Sequence, residues 1–450
     1  MIGVVIRMRP PSPLAFLLLL AVCIGCLKLS SAQLTSGVFQ VTNIVSGLNR
    51  PTTMAFLDHN DFLILEQQTG KVQRVQLPGP VITTVLQLAT ATGSEEGMLG
   101  IARHPDFSGN QWVYIYHTDP ARDRNQIVRY KWNGTRFSSR QFLVSFPRSS
   151  RHNGGIITFG PDGKLYAVVG DTQRSSKTTN TASAPLLSVA QIVRINDDGS
   201  VPVDNPFTEP GWERIYAYGI RNSFGLSFDP LTGQLWDTEN GDTSYDEINR
   251  VLAGMNSGWS TIMGPDARSS GNAEDLVMIP GAVYADPNLS FAQTIAPTAI
   301  CFVSTPRFPP FFRDSMFVAS GNNRGIYFLR MNADRTSIQL TSGLEDGVYD
   351  PGDSGLGAVV SNAGTASDLK IGPDGYLYLV SNSLGAVYRV RPTTPMGDLN
   401  FDRMADLADV PIIVNLLLNG QYRSEADFDA NSIINGIDIA MFTDSIRLPN

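Results

Sequence analysis

FGPDGKLYAVVGD, residues Phe159–Asp171, joins a tight turn to a short apolar segment. Pro-Asp-Gly is a turn sequence, and the residues after it alternate with the two-residue period of a β-strand. Turn-and-strand segments of this kind recur along the chain: MAFLDHNDFLILEQ from Met54, LGIARHPDFSGNQWVYIYHT from Leu99, SFDPLTGQLWDTEN from Ser227, RFPPFFRDSMFVAS from Arg307 and IGPDGYLYLVSN from Ile371. Segments with helical periodicity come only after residue 405. About six repeated β units predict an all-β chain, specifically a six-bladed β-propeller.

The bulk composition sets the broad class of the protein. The chain has 450 residues, of which 42% are hydrophobic, and this is enough for a large buried core. Its formal net charge is -8. Because nucleic acids bind to basic surfaces, this charge argues against a nucleic-acid partner.

Residues 1–32 have the three-part layout of a secretory signal peptide. Arg7 and Arg9 precede the apolar run PLAFLLLLAVCIGC, and small residues follow it up to Ala32. We expect cleavage near Ala32 and a secreted or periplasmic protein with no membrane span in the mature chain. The alternatives are a membrane anchor, for which the run is short, and lipid attachment at Cys26.

The composition changes after residue 391, where a short linker, residues 392–396, precedes a small segment, residues 397–450. Two similar loops, DLNFDRMADLAD and DFDANSIINGID, each run into an apolar segment with helical spacing. This pattern is typical of an EF-hand loop, since Ca²⁺ takes several oxygen ligands from a tight turn. The alternative is a pair of solvated acidic turns. Loop positions 1, 3, 5, 9 and 12 hold Asp398, Asn400, Asp402, Asp406 and Asp409 in the first loop, and Asp427, Asp429, Asn431, Asn435 and Asp438 in the second.

This C-terminal segment resembles a dockerin, the paired calcium-loop domain that binds cohesin modules. The resemblance predicts a small α-helical domain over residues 397–450, with a cohesin-like protein as its partner. The segment departs from the usual pattern at Arg403 and Ser432, where the sixth loop position usually holds glycine. Because glycine makes a sharp turn at the lowest cost, these departures predict a lower affinity for calcium.

His152 is one of four histidines and stands before Asn-Gly-Gly. Alone, it is better explained as a packing residue than as a catalytic one. Two other segments change this interpretation: YAYGIRNSFGLSFDP contains Arg221 and Asn222 between glycines, and TENGDTSYDEINRV is dense in oxygen ligands. Loops at strand ends carry functional groups around the central channel of a propeller, so the three segments together predict a site there.

Residues 40–391 resemble the soluble pyrroloquinoline-quinone (PQQ)-dependent sugar dehydrogenases of the glucose/sorbosone dehydrogenase family, which are six-bladed propellers. The segments that carry the resemblance occur in order: GMLGIARHPDF, HNGG followed by FGPDGKLYAVVGD, IVRINDDGSVPVDNPF, IYAYGIRNSFGLSFDP, GDTSYDEIN and MNSGW. The resemblance implies oxidation of the anomeric carbon of an aldose sugar with PQQ and calcium as cofactors.

The resemblance also implies roles for individual residues. His152 would be the general base that takes the proton of the anomeric hydroxyl while hydride passes to the quinone. Asp171 would hydrogen-bond His152, fix its tautomer and raise its basicity. Arg221 would lie over the quinone carbonyls and stabilise the charge that develops on them, and Asn222 would contact the cofactor.

Two calcium sites are implied in the acidic loop that follows. The backbone carbonyls of Gly241 and Asp242 would hold the calcium that polarises PQQ, which is a Lewis-acid role. Asp246 and Glu247 would serve a second, structural calcium. Hard oxygen ligands of this kind suit the ion.

Four positions depart from the family pattern, and all of them concern contacts to the cofactor. Glu95 stands where the family has glutamine, and Asn323 stands where it has lysine, with Arg324 as the nearest substitute. Thr365 and Ser367 stand where the family has two arginines. PQQ carries three carboxylates, so these changes weaken a clamp in which each charge-assisted hydrogen bond contributes roughly 1.5–3 kcal/mol.

The retained catalytic residues favour an exported oxidoreductase that acts on an aldose with PQQ and calcium. Its predicted cofactor contacts are Asn222, Glu95 and Arg324. The departures leave two alternatives. One is a different acceptor or substrate in the same channel, and the other is a non-catalytic propeller that binds a glycan or a protein, as the related hedgehog-interacting proteins do.

Overall fold

The computed structural model describes residues 37–173, 180, 188–393, 395–400, 404–429, 431 and 433–447. Several predictions lie outside these residues. They concern the signal peptide at residues 1–32, lipid attachment at Cys26, the calcium ligand Asp402, and the sixth loop positions Arg403 and Ser432.

Short strands make up most of the described chain. In chain order the first are β1 (Phe39–Val45), β2 (Pro51–Asp58), β3 (Asp61–Glu66), β4 (Lys71–Gln76), β5 (Val81–Gln87), β6 (Met98–Arg103), β7 (Trp112–Asp119), β8 (Arg124–Trp132), β9 (Phe137–Phe146), β10 (Ile157–Phe159), β11 (Leu165–Val169), β12 (Gln191–Ile195) and β13 (Ile215–Tyr218). These are followed by β14 (Ser223–Phe228), β15 (Leu235–Glu239), β16 (Asp246–Val251), β17 (Met255–Asn256), β18 (Val283–Tyr284), β19 (Leu289–Phe291), β20 (Pro297–Val303), β21 (Ser315–Ser320), β22 (Ile326–Leu329), β23 (Val348–Tyr349), β24 (Ala358–Val360), β25 (Ala366–Ile371), β26 (Leu377–Ser381) and β27 (Ala386–Pro392).

The segment Phe159–Asp171 contains the turn between β10 and β11 and the whole of β11, as its pattern predicts. In the turn between them, Gly160 N donates to Lys164 O at 2.9 Å. Gly163 has a φ of +73°, which glycine adopts without steric cost. Every residue of β11 is buried, because this strand lies in the middle of its sheet and is covered on both faces.

The strands form six sheets in the described part of the chain. Four of them have four strands each, in the orders β2-β3-β4-β5, β6-β7-β8-β9, β20-β21-β22-β24 and β25-β26-β27-β1. The other two are extended at the outer edge by strands from later segments, in the orders β10-β11-β12-β13-β17-β18 and β14-β15-β16-β19-β23.

The sheets are arranged in a ring. The first strand of each sheet packs against the first strand of the next, in the order β2, β6, β10, β14, β20 and β25, and β25 packs against β2. These strands therefore surround a common axis, and the prediction of an all-β propeller is confirmed.

The last sheet contains strands from both ends of the propeller. Strand β1 pairs antiparallel with β27, from Phe39 opposite Pro392 to Val45 opposite Val387. The buried side chain of Phe39 contacts the aromatic rings of Phe308, Phe312 and Phe317. The N-terminal strand is therefore part of the core that the last two sheets share.

Helices are few among the described residues. The short helix α1 (Phe107–Asn110) lies between β6 and β7, while α2 (Val410–Leu418) and α3 (Gly436–Arg447) follow the two acidic loops of the C-terminal segment, as the apolar spacing predicts. The two C-terminal helices share a separate apolar core that includes Ile413, Phe428 and Phe442. None of the helices in the described ranges is long and apolar enough to cross a membrane.

Candidate active site

The loop that carries His152 is shaped by the glycines that follow it. His152 itself has a φ of +56°, and Gly154 and Gly155 have φ values of +63° and +104°. A Cβ at Gly154 would lie 2.6 Å from the main-chain oxygen of Val168, and one at Gly155 would lie 2.5 Å from the Cβ of Leu99. Only glycine allows this close approach, and so the Asn-Gly-Gly sequence fixes where the histidine lies.

His152 and Asp171 contact each other directly. His152 Nδ1 lies 2.7 Å from Asp171 Oδ1, and Asp171 Oδ2 accepts a hydrogen bond from Trp259 Nε1 at 2.9 Å. The Asp171 carboxylate is buried and accepts at both oxygens, so its orientation is fixed. A carboxylate partner places the proton of a neutral imidazole on Nδ1, which leaves the lone pair on Nε2 free to accept a proton.

Arg221 lies on the other side of Trp259. Its guanidinium carbon is 5.2 Å from the centre of the Trp259 ring. Its two terminal nitrogens donate to Asn240 O at 2.9 Å and to Asp242 Oδ1 at 3.0 Å. Its main-chain oxygen accepts from Asp171 N at 2.8 Å, which couples its position to that of the catalytic pair. Asp171 and Arg221 therefore both contact the indole of Trp259, and His152 joins this group through Asp171.

Glu95 and Asn222 support the histidine loop. Glu95 Oε2 accepts from the main-chain nitrogen of His152 at 2.7 Å and from Asn222 Nδ2 at 3.1 Å. Asn222 Oδ1 in turn accepts from Gly154 N at 3.3 Å. The carboxylate that replaces the glutamine of the family pattern is thus in contact with the catalytic loop.

A cavity of about 180 Å³ opens beside this loop, at the ends of the first strands. Glu95 and Gly154 line it, as do Thr365 and Ser367, two of the positions that depart from the family pattern. Arg324 is exposed in the turn between β21 and β22 and does not line the cavity. The neighbouring Asn323 donates to the hydroxyl of Tyr327 at 2.7 Å.

Asp246 holds the acidic loop, residues 239–247, in place. Its Oδ1 accepts from Gly241 N at 2.8 Å, and its Oδ2 accepts from the main-chain nitrogens of Ile295 and Ala296, both at 2.6 Å. Both oxygens of this carboxylate therefore already have main-chain donors. The side chain of Asp242 is 66% exposed at the start of the same loop.

Three buried carboxylates lie on the neighbouring strands β15 and β16. Glu239 and Glu247 are opposite each other in the sheet, and Asp237 is two residues away on the same face. Burial raises the pKa of Glu247 to about 8 and that of Asp237 to about 7, and burial together with Glu247 raises the pKa of Glu239 well above its ordinary value. Within the described ranges no arginine or lysine compensates their charge. Buried carboxylates without a cation are costly unless they take up a proton or a metal ion.

Trp259 and Asn153 are two site residues that the sequence reasoning missed. Trp259 joins Asp171 to Arg221, and the signal for it was its place in the matching segment MNSGW. Asn153 is fully buried, and its side chain bonds to Ser149 and to the main-chain oxygen of Glu95. Its signal was the Asn-Gly-Gly sequence that directly follows His152.

The two C-terminal loops have matching geometry. Asp409 Oδ1 accepts from Leu399 N at 2.7 Å, and Asp438 Oδ1 accepts from Phe428 N at 2.7 Å. The second oxygen of each accepts from the residue three positions earlier, Asp406 and Asn435, at 2.9 and 2.8 Å. Of the described candidates, the carboxylates that lie within 4.8 Å of one another are those of Asp427, Asp429 and Asp438. The other described loop positions, Asp398, Asn400 and Asn431, belong to the same two loops.

Comparison with known proteins tests the family resemblance. The sequence profile of the family described as Glucose / Sorbosone dehydrogenase matches residues 48–389 of this chain. The chain belongs to this family. The resemblance that the motifs predict is thereby confirmed for the propeller, while the resemblance of the C-terminal segment to a dockerin stays a prediction.

Members of the glucose/sorbosone dehydrogenase family provide specific relatives. The quinoprotein glucose dehydrogenase B of Acinetobacter calcoaceticus is 31% identical over 262 residues, which cover 52% of this chain and 55% of that protein. The aldose sugar dehydrogenase YliI of Escherichia coli is 25% identical over 370 residues, which cover 77% and 91% of the two chains. A solved structure from Thermus thermophilus, described as an oxidoreductase (glucose dehydrogenase), superposes with a TM-score of 0.65 at 27% identity and covers 78% of this chain and 99% of its own.

Proposed function

We propose that this protein is an exported oxidoreductase that oxidises the anomeric carbon of an aldose sugar. The observation that carries the proposal is the 2.7 Å contact between His152 Nδ1 and the buried carboxylate of Asp171, in a loop whose Gly154 lines the cavity. Glu95 holds the main-chain nitrogen of this histidine and Asp171 holds its ring, so its orientation is fixed. Sugar oxidation is also the activity named for the relatives from Acinetobacter and Escherichia.

The chemistry assigned to this chain is the removal of a proton. Nε2 of His152 takes the proton of the anomeric hydroxyl, and the Asp171 carboxylate stabilises the imidazolium that forms. Trp259 holds the second oxygen of Asp171, so that the carboxylate cannot turn away from the histidine. Positioned general bases of this kind contribute about 10²–10⁴-fold in rate. Oxidation is completed when the hydrogen on the same carbon leaves with its electron pair to a two-electron acceptor.

The residues present do not fit PQQ, the cofactor that the family resemblance implies. PQQ is a tricarboxylate, and it needs cations or uncommitted donors. Thr365 and Ser367 are neutral, Glu95 adds a negative charge, and Arg221 already pairs with Asp242. The proposed mechanism therefore does not use PQQ.

We propose calcium for the acidic face of β15 and β16 on the ground of its buried negative charge. The buried Glu239 and Glu247 lack a compensating cation among the described residues, and a divalent ion would supply it. Asp246 already accepts three main-chain hydrogen bonds. Glu239 and Glu247 likewise accept hydrogen bonds at both oxygens, so each of the three carboxylates would exchange a donor for the ion. We propose that Asp246 positions the loop. The main-chain carbonyls of Gly241 and Asp242 in that loop are the other predicted calcium ligands.

Calcium also fits the second C-terminal loop, where Asp427, Asp429 and Asp438 converge. Asp409, the position-12 carboxylate of the first loop, has the same hydrogen-bond geometry as Asp438 of the second loop. We therefore extend the calcium proposal to the first loop. We propose that the two loops and their helices are a dockerin-like domain that binds a cohesin-like partner. Exposed apolar side chains, among them Leu407, Leu418 and Ile437, support a docking role.

We infer that each of the six sheets is one blade, so that the propeller has six blades over residues 40–391. The closed ring of first strands supports this count, as does the fact that each sheet contains an antiparallel run of at least three strands. The linker at residues 392–396 and the signal peptide at residues 1–32 remain predictions from the sequence.

A non-catalytic propeller that binds a glycan is the second candidate function. The specific observation that favours it is the hydroxyl-rich lining of the cavity, which suits a sugar whether or not the sugar is oxidised. Under the first candidate function His152 is a catalytic base. Under the second, its only role is to shape the loop.

Substitution of His152 by alanine tests the proposed function. In assays of dye reduction with a panel of aldoses, we expect turnover to fall at least about 100-fold, because the base is lost. Replacement of His59, which is on the surface, by alanine is the matched control and should leave turnover unchanged. Equal turnover of the His152→Ala variant and the original chain would refute the base role, and sugar binding without turnover in the original chain would favour the second candidate.

A further inference from the structure

The cavity lies where the first strands of several sheets begin. Thr52 and Thr53 stand at the start of β2, Thr298 at the start of β20 and Ser367 at the start of β25. All four line the cavity. Since the first strands surround the propeller axis, the hydroxyls of these residues form part of the wall of the axial channel.

Each of these hydroxyls donates its proton to the main chain. Thr52 Oγ1 donates to Met98 O at 2.9 Å, and Thr53 Oγ1 donates to Leu99 O at 3.2 Å. Ser367 Oγ donates to Pro51 O at 2.9 Å, and Thr298 Oγ1 donates to Ala366 O. A hydroxyl has a single proton, so once that proton is donated it offers a ligand only lone pairs.

Two other groups that line the cavity, the carboxylate of Glu95 and the side-chain amide of Asn382, also present hydrogen-bond acceptors to it. Both donors to Glu95 bind Oε2, and in the described part of the chain Oε1 has no partner. Asn382 Nδ2 donates to Pro51 O at 3.1 Å, which leaves the carbonyl of this amide as an acceptor. Among the described residues that line the cavity, Arg50 is the one with a guanidinium or ammonium group, and it is exposed.

We propose that this cavity binds an uncharged ligand rich in hydroxyl groups, namely a monosaccharide, and that it discriminates against the tricarboxylate PQQ. Sugar hydroxyls can donate to the lone pairs of the wall and to Glu95. Carboxylates can only accept. They would meet these lone pairs and the like charge of Glu95, with the hydroxyls of Ser94 and Thr365 as neutral donors, so their binding is weakened relative to that of a sugar. The choice of a sugar among donor-rich ligands rests on the proposed function, but the exclusion of PQQ does not.

Binding measurements on the full chain test this inference without any need for turnover. PQQ and, separately, a panel of aldohexoses are titrated into the protein in the presence of calcium, with heat or intrinsic tryptophan fluorescence as the readout. We expect saturable binding of at least one aldohexose, and binding of PQQ that is at least tenfold weaker than that of the sugar.

A gain-of-binding variant provides the decisive comparison. Glu95→Gln combined with Thr365→Arg and Ser367→Arg removes the repulsive charge and adds two donors that carry charge. If each added charge-assisted hydrogen bond contributes about 1.5 kcal/mol, PQQ should bind on the order of 100-fold more tightly. Thr83→Arg, which adds a cation on the exposed outer strand β5, is the matched control and should change PQQ binding less than twofold.

Two outcomes would overturn the inference: tighter binding of PQQ than of every sugar by the original chain, or no gain in the triple variant while its melting temperature is retained. If the triple variant does not fold, the single variant Glu95→Gln decides, because it should still bind PQQ several-fold more tightly. Sugar binding together with an inactive enzyme would refute the proposed function and leave this inference standing.

Discussion

At the residue scale, one buried carboxylate organises the candidate active site. Asp171 contacts His152 through one oxygen and Trp259 through the other, and its main-chain nitrogen donates to Arg221 O. The family resemblance implied the pair of His152 and Asp171, and the two residues flank a single hairpin. Trp259 lies 88 residues further along the chain, and no spacing rule connects it to Asp171 before the ring of sheets brings the two together.

A second histidine, His117, makes the stability of the protein sensitive to acid. It is buried on β7, and burial lowers its pKa from 6.5 to about 4. Between these values the unfolded chain binds a proton that the folded chain does not. The free energy of unfolding is therefore highest above pH 6.5. It falls as the pH approaches 4, by an amount on the order of 3 kcal/mol.

We expect His117→Asn to flatten this acid limb. Urea denaturation at pH 7 and at pH 4.5 should show a smaller loss of unfolding free energy in the variant than in the original chain. His59, which is 39% exposed beside Asp58, provides the control when it is changed to asparagine, and it should alter the acid limb much less than His117→Asn does. A variant as acid-sensitive as the original chain would show that His117 does not cause the effect.

At the element scale, strand β1 completes the last sheet from the opposite end of the chain. Its Phe39 is 3% exposed and packs on Phe317 of β21 and on Phe308 and Phe312 of the loop between β20 and β21. The sequence predicted the repeated units but not this pairing, because the pairing partners are about 350 residues apart and leave no local signal. The same reason explains why the added edge strands β17, β18, β19 and β23 were not predicted.

Truncation of Phe39 should weaken the closure of the ring. We expect Phe39→Ala to lower the unfolding free energy by about 3–5 kcal/mol, because a large aromatic side chain leaves a packed core. Phe142→Ala removes the same side chain from β9, where Phe142 is 51% exposed, and should cost within about 0.5 kcal/mol. Chemical denaturation of both variants measures the difference, and similar losses for the two would contradict a closing role for β1.

At the scale of the whole molecule, the C-terminal segment has its own core and contacts the propeller. Arg313, in the loop before β21, donates to the main-chain oxygen of Phe428. Burial lowers the pKa of this arginine. The sequence predicted the two loops and their helices, because the ligand spacing is local. It did not predict the arginine that joins them to the propeller, since that contact depends on how the two parts pack.

Calcium should stabilise this segment through its second loop. An ion that binds only the folded form at about 100 times its Kd adds about 2.7 kcal/mol. We therefore expect added Ca²⁺ to raise the thermal transition of the segment, and Asp429→Ala to remove most of that rise. Asp444→Ala, a change to an exposed carboxylate on α3, is the matched control. A transition that does not respond to Ca²⁺ or to chelator in calorimetry would contradict a calcium site here.

The pairing of β1 with β27 also determines how the propeller responds to mechanical force. Phe39 lies opposite Pro392, so the segment before β1 and the segment after β27 leave from the same end of one ladder. A pull between these two segments would load the hydrogen bonds one after another, as a zipper is opened, rather than all at once in shear. A tether at the N-terminus and a partner bound at the C-terminus would therefore apply their tension to this seam first, and the ring would open there before its other sheets experience the load.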